Sequence, residues 1–204
     1  MKEVKIVVLA SGRGSNFIAV KEAMDTREIQ GCRISLVICD RHNTGAEKYA
    51  LENDIPVQII DYKSLPDRKE FDRLLRDSII AEKPDLILTL GFMRIISKWL
   101  VRDYEGKIIN IHPSLLPSFP GMHAQRQALE AGVKVTGATV HFMDEGMDTG
   151  PIILQAPVMV PEGADLEEVS NLILQQEHPL LIRAVQMFSA GKLQITGRIV
   201  KILD

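Results

Sequence analysis

The chain has 204 residues, of which 46% are hydrophobic and 25% charged, and a formal net charge of −3. These are ordinary values for a globular protein, and the length is sufficient for one well-buried domain. The basic residues are scattered and no apolar run reaches 18 residues, so we expect neither a nucleic-acid partner nor a membrane span. The N-terminal residues lack a signal-peptide pattern, which predicts a cytoplasmic protein.

Short apolar runs alternate with amphipathic stretches through the first part of the chain. Strands are predicted at residues 5–10, 34–39, 57–60, 86–90 and 107–111, and helices at residues 16–28, 44–53 and 66–82. Short strands separated by helices of this length are typical of βαβ units, which form a mostly parallel sheet.

The second part has a different pattern. A short helix is predicted at residues 122–131, followed by two β-rich runs at 135–143 and 152–160 that we expect to be antiparallel to part of the sheet. A long amphipathic helix follows at 165–190, kinked or divided by Pro179, and residues 193–203 alternate as a hairpin would around Gly197. The predicted fold is α/β: a single-domain, Rossmann-like, mostly parallel sheet flanked by helices, with an antiparallel portion toward the C-terminal half.

A glycine-rich turn, Ser11-Gly12-Arg13-Gly14-Ser15-Asn16, joins the first strand to the first helix. Ser15 and Asn16 are both good N-cap residues, so the helix should begin near them. Backbone N–H groups at a helix start suit a phosphate. Gly12-x-Gly14 also begins a dinucleotide fingerprint, with Asp40 where a ribose-binding acid would fall, but Phe17 and Ile18 occupy the region of the third glycine, which argues against NAD.

Asn110 and His112 are two residues apart at the end of the fifth predicted strand, so their side chains point to the same face. Pro113 keeps His112 extended. An amide can stabilise an oxyanion and an imidazole can move a proton near neutral pH, which together indicate acyl-type chemistry. Asp148 follows in an acidic, glycine-punctuated loop that can bring a carboxylate to a neighbouring strand end.

Each of these residues also has a purely structural interpretation. An isolated Asn-x-His is more often a strand-end cap, and Asp148 could be a turn former, as Asp144 and Glu145 in the same loop are expected to be. His141, within an apolar strand, is expected to be a hydrogen-bonded core histidine. Glu177 on its own would be interpreted as a solvated helix residue.

Several segments together resemble the folate-dependent phosphoribosylglycinamide formyltransferases of purine biosynthesis, in order and spacing across nearly the whole chain. They are Ser11 through Asn16, Gly91-Phe92-Met93-Arg94-Ile95, Asn110 through Pro117, Pro120-Gly121, His141-Phe142, Asp144 through Pro151 and Gln176-Glu177-His178. The Asn-x-His-Pro-Ser-Leu-Leu-Pro segment with a later Asp is shared by several formyltransferases that use 10-formyltetrahydrofolate. The glycine turn points more narrowly to the glycinamide ribonucleotide branch.

The resemblance implies transfer of a formyl group from 10-formyltetrahydrofolate to the glycyl amine of phosphoribosylglycinamide. It implies one formyltransferase domain over residues 1–204, with a nucleotide- and phosphate-binding half to about residue 100 and a catalytic, folate-cleft half after it. The matching positions give each site its residues. The catalytic set is Asn110, His112 and Asp148; the ribonucleotide site is Gly14, Ser15, Asn16 and Glu177; and the folate site is Arg68, Met93, Arg94, Ile95, Ile96, Asn110 and Asp144.

No metal is expected, because the substrate amine is itself the nucleophile. An aspartate beside His112 would favour the imidazolium form. The partners implied are the two small-molecule substrates, and the protein is expected to be a monomer or homodimer. The departures from the family pattern are Gly163-Ala164-Asp165 and Leu181-Ile182, which concern the last helix rather than the chemistry.

Three alternatives remain open at this stage. Another formyltetrahydrofolate enzyme could act on methionyl-tRNA or a nucleotide sugar, and a hydrolase could release formate from the same donor. We expect neither, because the first usually has a further C-terminal domain and the second an N-terminal regulatory domain. A nucleotide-binding module without catalysis is the alternative from a different class.

Overall fold

The computed structural model describes residues 3–203, which form two compact units, one ending at Ile109 and the other beginning at Asn110. The elements of the first unit alternate between strand and helix. They are β1 Val4–Ala10, α1 Ser15–Asp25, β2 Cys32–Cys39, α2 Gly45–Glu52, β3 Val57–Ile59, α3 Arg68–Glu82, β4 Leu86–Leu90, α4 Lys98–Asp103 and the first residues of β5 Ile108–His112.

The strands of the first unit lie in the order β3-β2-β1-β4, and all of their pairings are parallel. β4 is buried along its whole length, and β1 is buried from Ile6 onward. A strand covered on both faces needs a continuous apolar run, and this is the pattern from which both were predicted. Their carboxyl ends, at Ala10 and Leu90, are paired neighbours, so the loops after them leave the sheet side by side.

The second unit continues from β5 into a more antiparallel part. Its further elements are α5 Ala124–Glu130, β6 Val135–Phe142, β7 Ile152–Met159, α6 Leu166–Ser189, β8 Leu193–Thr196 and β9 Ile199–Ile202. β6 and β7 form a long antiparallel pair, β8 and β9 form the expected hairpin, and β9 pairs in parallel with β7. The predicted α/β fold, mostly parallel with antiparallel strands toward the C-terminus, is confirmed.

The differences from the predicted elements are local. The short helix α4 was not predicted, because six residues are too few to show a helical period. α6 runs through Pro179 without division. The predicted second-strand start was two residues late, since Cys32 and Arg33 extend β2 beyond its apolar run by pairing with Val4 and Lys5.

Candidate active site

The glycine turn leads from β1 directly into α1. Gly14 is the N-cap of α1, with a φ of 80° in the left-handed region, and its carbonyl accepts from the Ile18 N–H at 2.8 Å. The expected N-caps, Ser15 and Asn16, are instead the first residues of the helix. Sequence favours a side-chain cap, but the left-handed turn that only glycine adopts easily moves the boundary one residue earlier.

Gly14 is also required because a side chain at this position would collide with α2. A Cβ atom there would lie 2.9 Å from both Cα and Cβ of Ala46, because the start of α2 packs on the turn and the Ala46 N–H donates to the Gly12 carbonyl at 3.2 Å. Thr44 and Glu47 cap α2 with a reciprocal capping box, whereas no side chain caps α1. The start of α1 therefore presents main-chain donors at the positive end of its dipole.

Asp40, at the position of a ribose-binding acid, binds two arginine side chains instead. Its side chain is fully buried, and its two oxygens bind different arginines, Oδ1 to Nε of Arg41 at 3.1 Å and Oδ2 to Nε of Arg94 at 2.6 Å. Because both oxygens already bind arginines and the side chain has no exposed surface, Asp40 is poorly placed to accept from a ribose hydroxyl. This arrangement and the buried Phe17 both argue against a dinucleotide site.

The segment after β4 contains four of the five predicted folate residues of the first unit, and the fifth, Arg68, is the first residue of α3. Met93 and Ile95 are 62% and 66% exposed, whereas Ile96 is buried. The Arg94 side chain is turned to Asp40, and Nη2 of Arg68 donates to the Ile95 carbonyl at 3.4 Å. The structure thus brings Arg68 to the segment after β4, and the five residues have different environments.

In the second unit, β5 ends at His112 and places its imidazole among acceptors. Nε2 lies 2.8 Å from the Phe119 carbonyl, which can only accept, so this nitrogen is a donor. Nδ1 lies 3.4 Å from Oδ2 of Asp148. In the imidazolium form both nitrogens carry protons and both acceptors are satisfied.

Asp148 is held in a left-handed conformation, with a φ of 54°. Its Oδ2 accepts from the Gly121 N–H at 2.7 Å, and its Oδ1 lies 3.7 Å from Nε2 of His141. Asp144 supports the same loop by accepting from the Gly146 N–H and the Thr149 hydroxyl, as its predicted role as a turn former requires. The carboxylate of Asp148 therefore lies beside two histidines, nearer to His112 than to His141.

His141 is 1% exposed and fixes the amide of Asn110. Its Nδ1 lies 2.9 Å from the Phe142 carbonyl and so donates, which leaves Nε2 of the neutral ring to accept from Nδ2 of Asn110 at 3.2 Å. Burial lowers the pKa of His141 below its ordinary value, and the opposing effects of the Phe142 carbonyl and Asp148 are smaller. The histidine expected in the core thus also orients the Asn110 side chain.

The neutral state of His141 predicts a pH-dependent stability. Because its pKa is lowered from 6.5, the unfolded chain binds a proton that the folded protein does not, and stability falls as the pH drops below 6.5. The slope from one such group is at most about 1.4 kcal/mol per pH unit. Urea unfolding at pH 7.5 and 5.5 should show a smaller acid-induced loss for His141→Gln than for the unsubstituted protein. Equal losses would contradict the neutral, buried assignment.

Two polar residues that sequence reasoning did not select hold the loop after His112. The fully buried Thr139 hydroxyl donates to the Ser114 carbonyl at 2.7 Å and accepts from the Leu116 N–H at 3.0 Å. Nε2 of Gln155 donates to the Leu116 carbonyl and to the same hydroxyl, each at 2.9 Å. The sequence signal for Thr139 was a polar residue within an apolar strand, whereas Gln155 is exposed on β7 and gave no signal.

Glu177 lies on α6 and is only 8% exposed, so it is not the solvated helix residue that its sequence context suggested. Its burial agrees with a specific role, since an ionised carboxylate is rarely buried without partners.

His123 is exposed at the start of α5. Within residues 3–203, no helix is long and apolar enough to cross a membrane.

The chain is similar to known proteins over most of its length. The model of the formyl transferase family matches residues 4–185. This chain belongs to the formyl transferase family. Phosphoribosylglycinamide formyltransferase of Bacillus subtilis is 41% identical over 174 residues, which cover 85% of this chain and 89% of that protein. The crystal structure of glycinamide ribonucleotide transformylase 1 from Symbiobacterium toebii has a TM-score of 0.94 at 42% identity, covering 98% of this chain and 94% of that one.

A second group of relatives in the same family is much longer. The trifunctional purine biosynthetic protein adenosine-3 of Drosophila pseudoobscura pseudoobscura is 40% identical over 198 residues, which are 97% of this chain but 14% of that protein. The formyl transferase match includes the glycine turn, the segment after β4 and the histidine–aspartate cluster. All of the candidate site residues therefore lie within the matched region, whereas β8 and β9 come after it.

Proposed function

We propose that this protein transfers the formyl group of 10-formyltetrahydrofolate to the glycyl amine of phosphoribosylglycinamide, a step of purine biosynthesis. The observation that carries the proposal is the Asn110–His141–Asp148–His112 cluster, found in a chain similar to phosphoribosylglycinamide formyltransferases over most of its length. The cluster holds an amide donor, an imidazole and a carboxylate together at the carboxyl end of β5. Formyl transfer between two nitrogens needs those groups.

The reaction exchanges one bond for another. The amine attacks the formyl carbon, a C–N bond forms, and the carbonyl oxygen becomes an oxyanion; the bond to N10 of the folate then breaks. A donor aimed at the oxyanion contributes about 10²–10³ in rate. Asn110 supplies one through its primary amide, which His141 orients. The imidazolium of His112 supplies another through the N–H at Nε2, which without substrate donates to the Phe119 carbonyl.

The proton balance requires one proton to leave the amine and one to reach N10. Asp148 is the acceptor for the first, directly or through a water, because its carboxylate lies beside the imidazole of His112. His112 is the donor for the second. Positioned acid–base groups contribute about 10²–10⁴ in rate. His141, whose lowered pKa keeps it neutral, holds Asn110 and does not compete for the proton.

Substrate binding is assigned to the remaining predicted residues. The start of α1, with Gly14, Ser15 and Asn16, binds the ribonucleotide phosphate, and the buried Glu177 binds its ribose. The folate residues are Met93, Arg94, Ile95, Ile96 and Arg68 in the first unit, and Asn110 and Asp144 in the second. The exposed Met93 and Ile95 side chains offer an apolar surface suited to a pterin ring.

A charge substitution tests the phosphate site. Ser15→Asp should raise the KM for the ribonucleotide by roughly ten- to a hundredfold, since two like charges 4 Å apart repel by about 4 kcal/mol near a protein surface before screening. The KM for the folate should change less than about twofold. Gly14→Val is a poor test of the same site, because both its φ and the contact with Ala46 would strain the fold. Steady-state kinetics with each substrate varied in turn provide the measurement, and equal effects on both KM values would contradict the assignment.

The reaction itself is tested by mixing purified protein with 10-formyltetrahydrofolate, with and without phosphoribosylglycinamide, and following loss of the formyl-folate by absorbance. Loss that requires the ribonucleotide and yields its formylated product supports the proposal. Loss without any acceptor would identify a hydrolase, in which water replaces the amine. No loss in either case, with folate still bound, would mean that the acceptor is a different amine.

A further inference from the structure

The irregular segment after β4 is tied to the first unit at four consecutive residues. The Phe92 ring stacks on Phe71 at a centroid distance of 6.4 Å, and the Met93 N–H donates to the buried Ser11 hydroxyl at 2.8 Å. Arg94 binds Asp40, and the Ile95 carbonyl accepts from Arg68. Residues 91–97 form neither helix nor strand, so these contacts rather than a hydrogen-bonded ladder fix the backbone.

Arg94 makes the strongest of the four ties. Its Nε donates to Oδ2 of the fully buried Asp40 at 2.6 Å, and its Cζ lies 4.0 Å from the centre of the Tyr62 ring. A charge-assisted hydrogen bond and a cation–π contact therefore hold one guanidinium between two groups. Tyr62 in turn packs edge-on against Phe71, with ring centres 5.3 Å apart, and Phe71 stacks on Phe92. Arg94 and Phe92 are thus both held by the pair of rings formed by Tyr62 and Phe71.

The side chains of the segment alternate between held and exposed. Phe92 and Arg94 are half-buried and make the contacts above, whereas Met93 and Ile95 are 62% and 66% exposed. Two apolar side chains exposed on a fixed backbone at the carboxyl end of a parallel strand form a preorganised binding surface. A flexible segment would lose backbone conformational entropy when it binds a ligand. The four contacts already restrict the backbone of residues 92–95, so less entropy is lost on binding.

We propose that Arg94 is a positioning residue for the folate. Its guanidinium, locked by Asp40 and Tyr62, fixes residues 92–95 so that Met93 and Ile95 face the pterin ring, and Arg94 contacts the protein rather than the substrate. This inference rests on the proposed function, because it assigns the surface of Met93 and Ile95 to the folate.

Arg41 provides a matched control for testing this role. It binds the other oxygen of Asp40, and its side chain is 46% exposed, compared with 26% for Arg94. Arg94→Met should raise the KM for 10-formyltetrahydrofolate about tenfold, the loss expected for one charge-assisted hydrogen bond, while the KM for the ribonucleotide and kcat stay within about twofold. Arg41→Met should leave all three unchanged. Arg94→Lys keeps the charge but not the planar stacking, so its KM should be intermediate.

Hydrogen exchange of amides 92–95 in the ligand-free protein gives a readout that does not depend on the reaction. Exchange should accelerate in Arg94→Met and not in Arg41→Met. Unchanged folate KM and unchanged exchange would overturn the proposal, and so would an equal rise in both KM values. If Arg94→Met fails to fold because Asp40 loses a partner, Tyr62→Leu removes the ring alone and should raise the folate KM about threefold; no rise would also overturn the proposal.

The two proposals fail differently. If the unsubstituted protein transfers no formyl group to the ribonucleotide, the proposed function fails, and direct titration with the folate replaces KM in the comparison of Arg94→Met with Arg41→Met. Weaker folate binding together with faster exchange in Arg94→Met alone would still support the positioning role. Equal binding by both variants would overturn it.

Discussion

Replacing Asp148 with asparagine is expected to lower kcat by about 10²–10⁴-fold, the range of a lost acid–base group. Asparagine tolerates the left-handed backbone that Asp148 adopts, at a φ of 54°, so the loop should keep its conformation. Its amide can still accept the Gly121 N–H but cannot take a proton or pair with an imidazolium. Single-turnover kinetics with both substrates saturating measure the effect on the chemical step.

Asp144→Asn is the matched control for this substitution. Asp144 lies in the same loop and accepts two hydrogen bonds, from Gly146 and Thr149, whereas Asp148 is the carboxylate that lies beside His112. Because Asp144 is proposed to contact the folate, Asp144→Asn should act mainly on the KM for the folate and lower kcat by no more than about a few fold. If Asp148→Asn retained half of the original kcat, the carboxylate would have no part in proton transfer.

Replacing His112 with alanine should also lower kcat by about 10²–10⁴-fold, with both substrates still bound. The imidazole lies between the Phe119 carbonyl and Asp148, and alanine supplies neither an oxyanion donor nor a proton for N10. Turnover and folate affinity should be measured together, since a module that only binds nucleotides would have no turnover to lose.

The double variant of His112 and Asp148 sharpens this prediction. Groups that act as a unit are not additive, so the double variant should lose little more than the more damaged single variant. Additive losses would show that the two side chains act in separate steps. His123→Asn is a control for histidine replacement: His123 is exposed and left-handed at a φ of 60°, a conformation that asparagine accepts, and kcat should be unchanged.

Much of the fold could be predicted because strands covered on both faces need apolar runs. β4 was predicted with its observed bounds, and β5 within one residue at each end. Asn110 and His112 could be paired from sequence because the two-residue period of a strand is strict. Helix boundaries were less certain, as α1 shows, because a glycine turn can replace a side-chain cap.

Apart from the approach of Asp148 to His112, contacts distant in sequence could not be predicted. Asp40 and Arg94 are 54 residues apart, and nothing in either local pattern indicates the other. The same is true of Thr139, whose hydroxyl holds a loop 23–25 residues earlier. In the sequence Arg94 stood out only as a charge within an apolar segment, which indicates that a partner is needed but not which one.

The uncapped start of α1 has a consequence for how the protein responds to its ligand supply. A side-chain cap stabilises a helix by about 1 kcal/mol. The helix α2 has such a cap, whereas α1 has no side-chain cap hydrogen bond. A phosphate bound there would restore that stabilisation only when ligand is present. The melting temperature should therefore rise with ribonucleotide concentration, so the cellular lifetime of the protein would follow the abundance of its substrate.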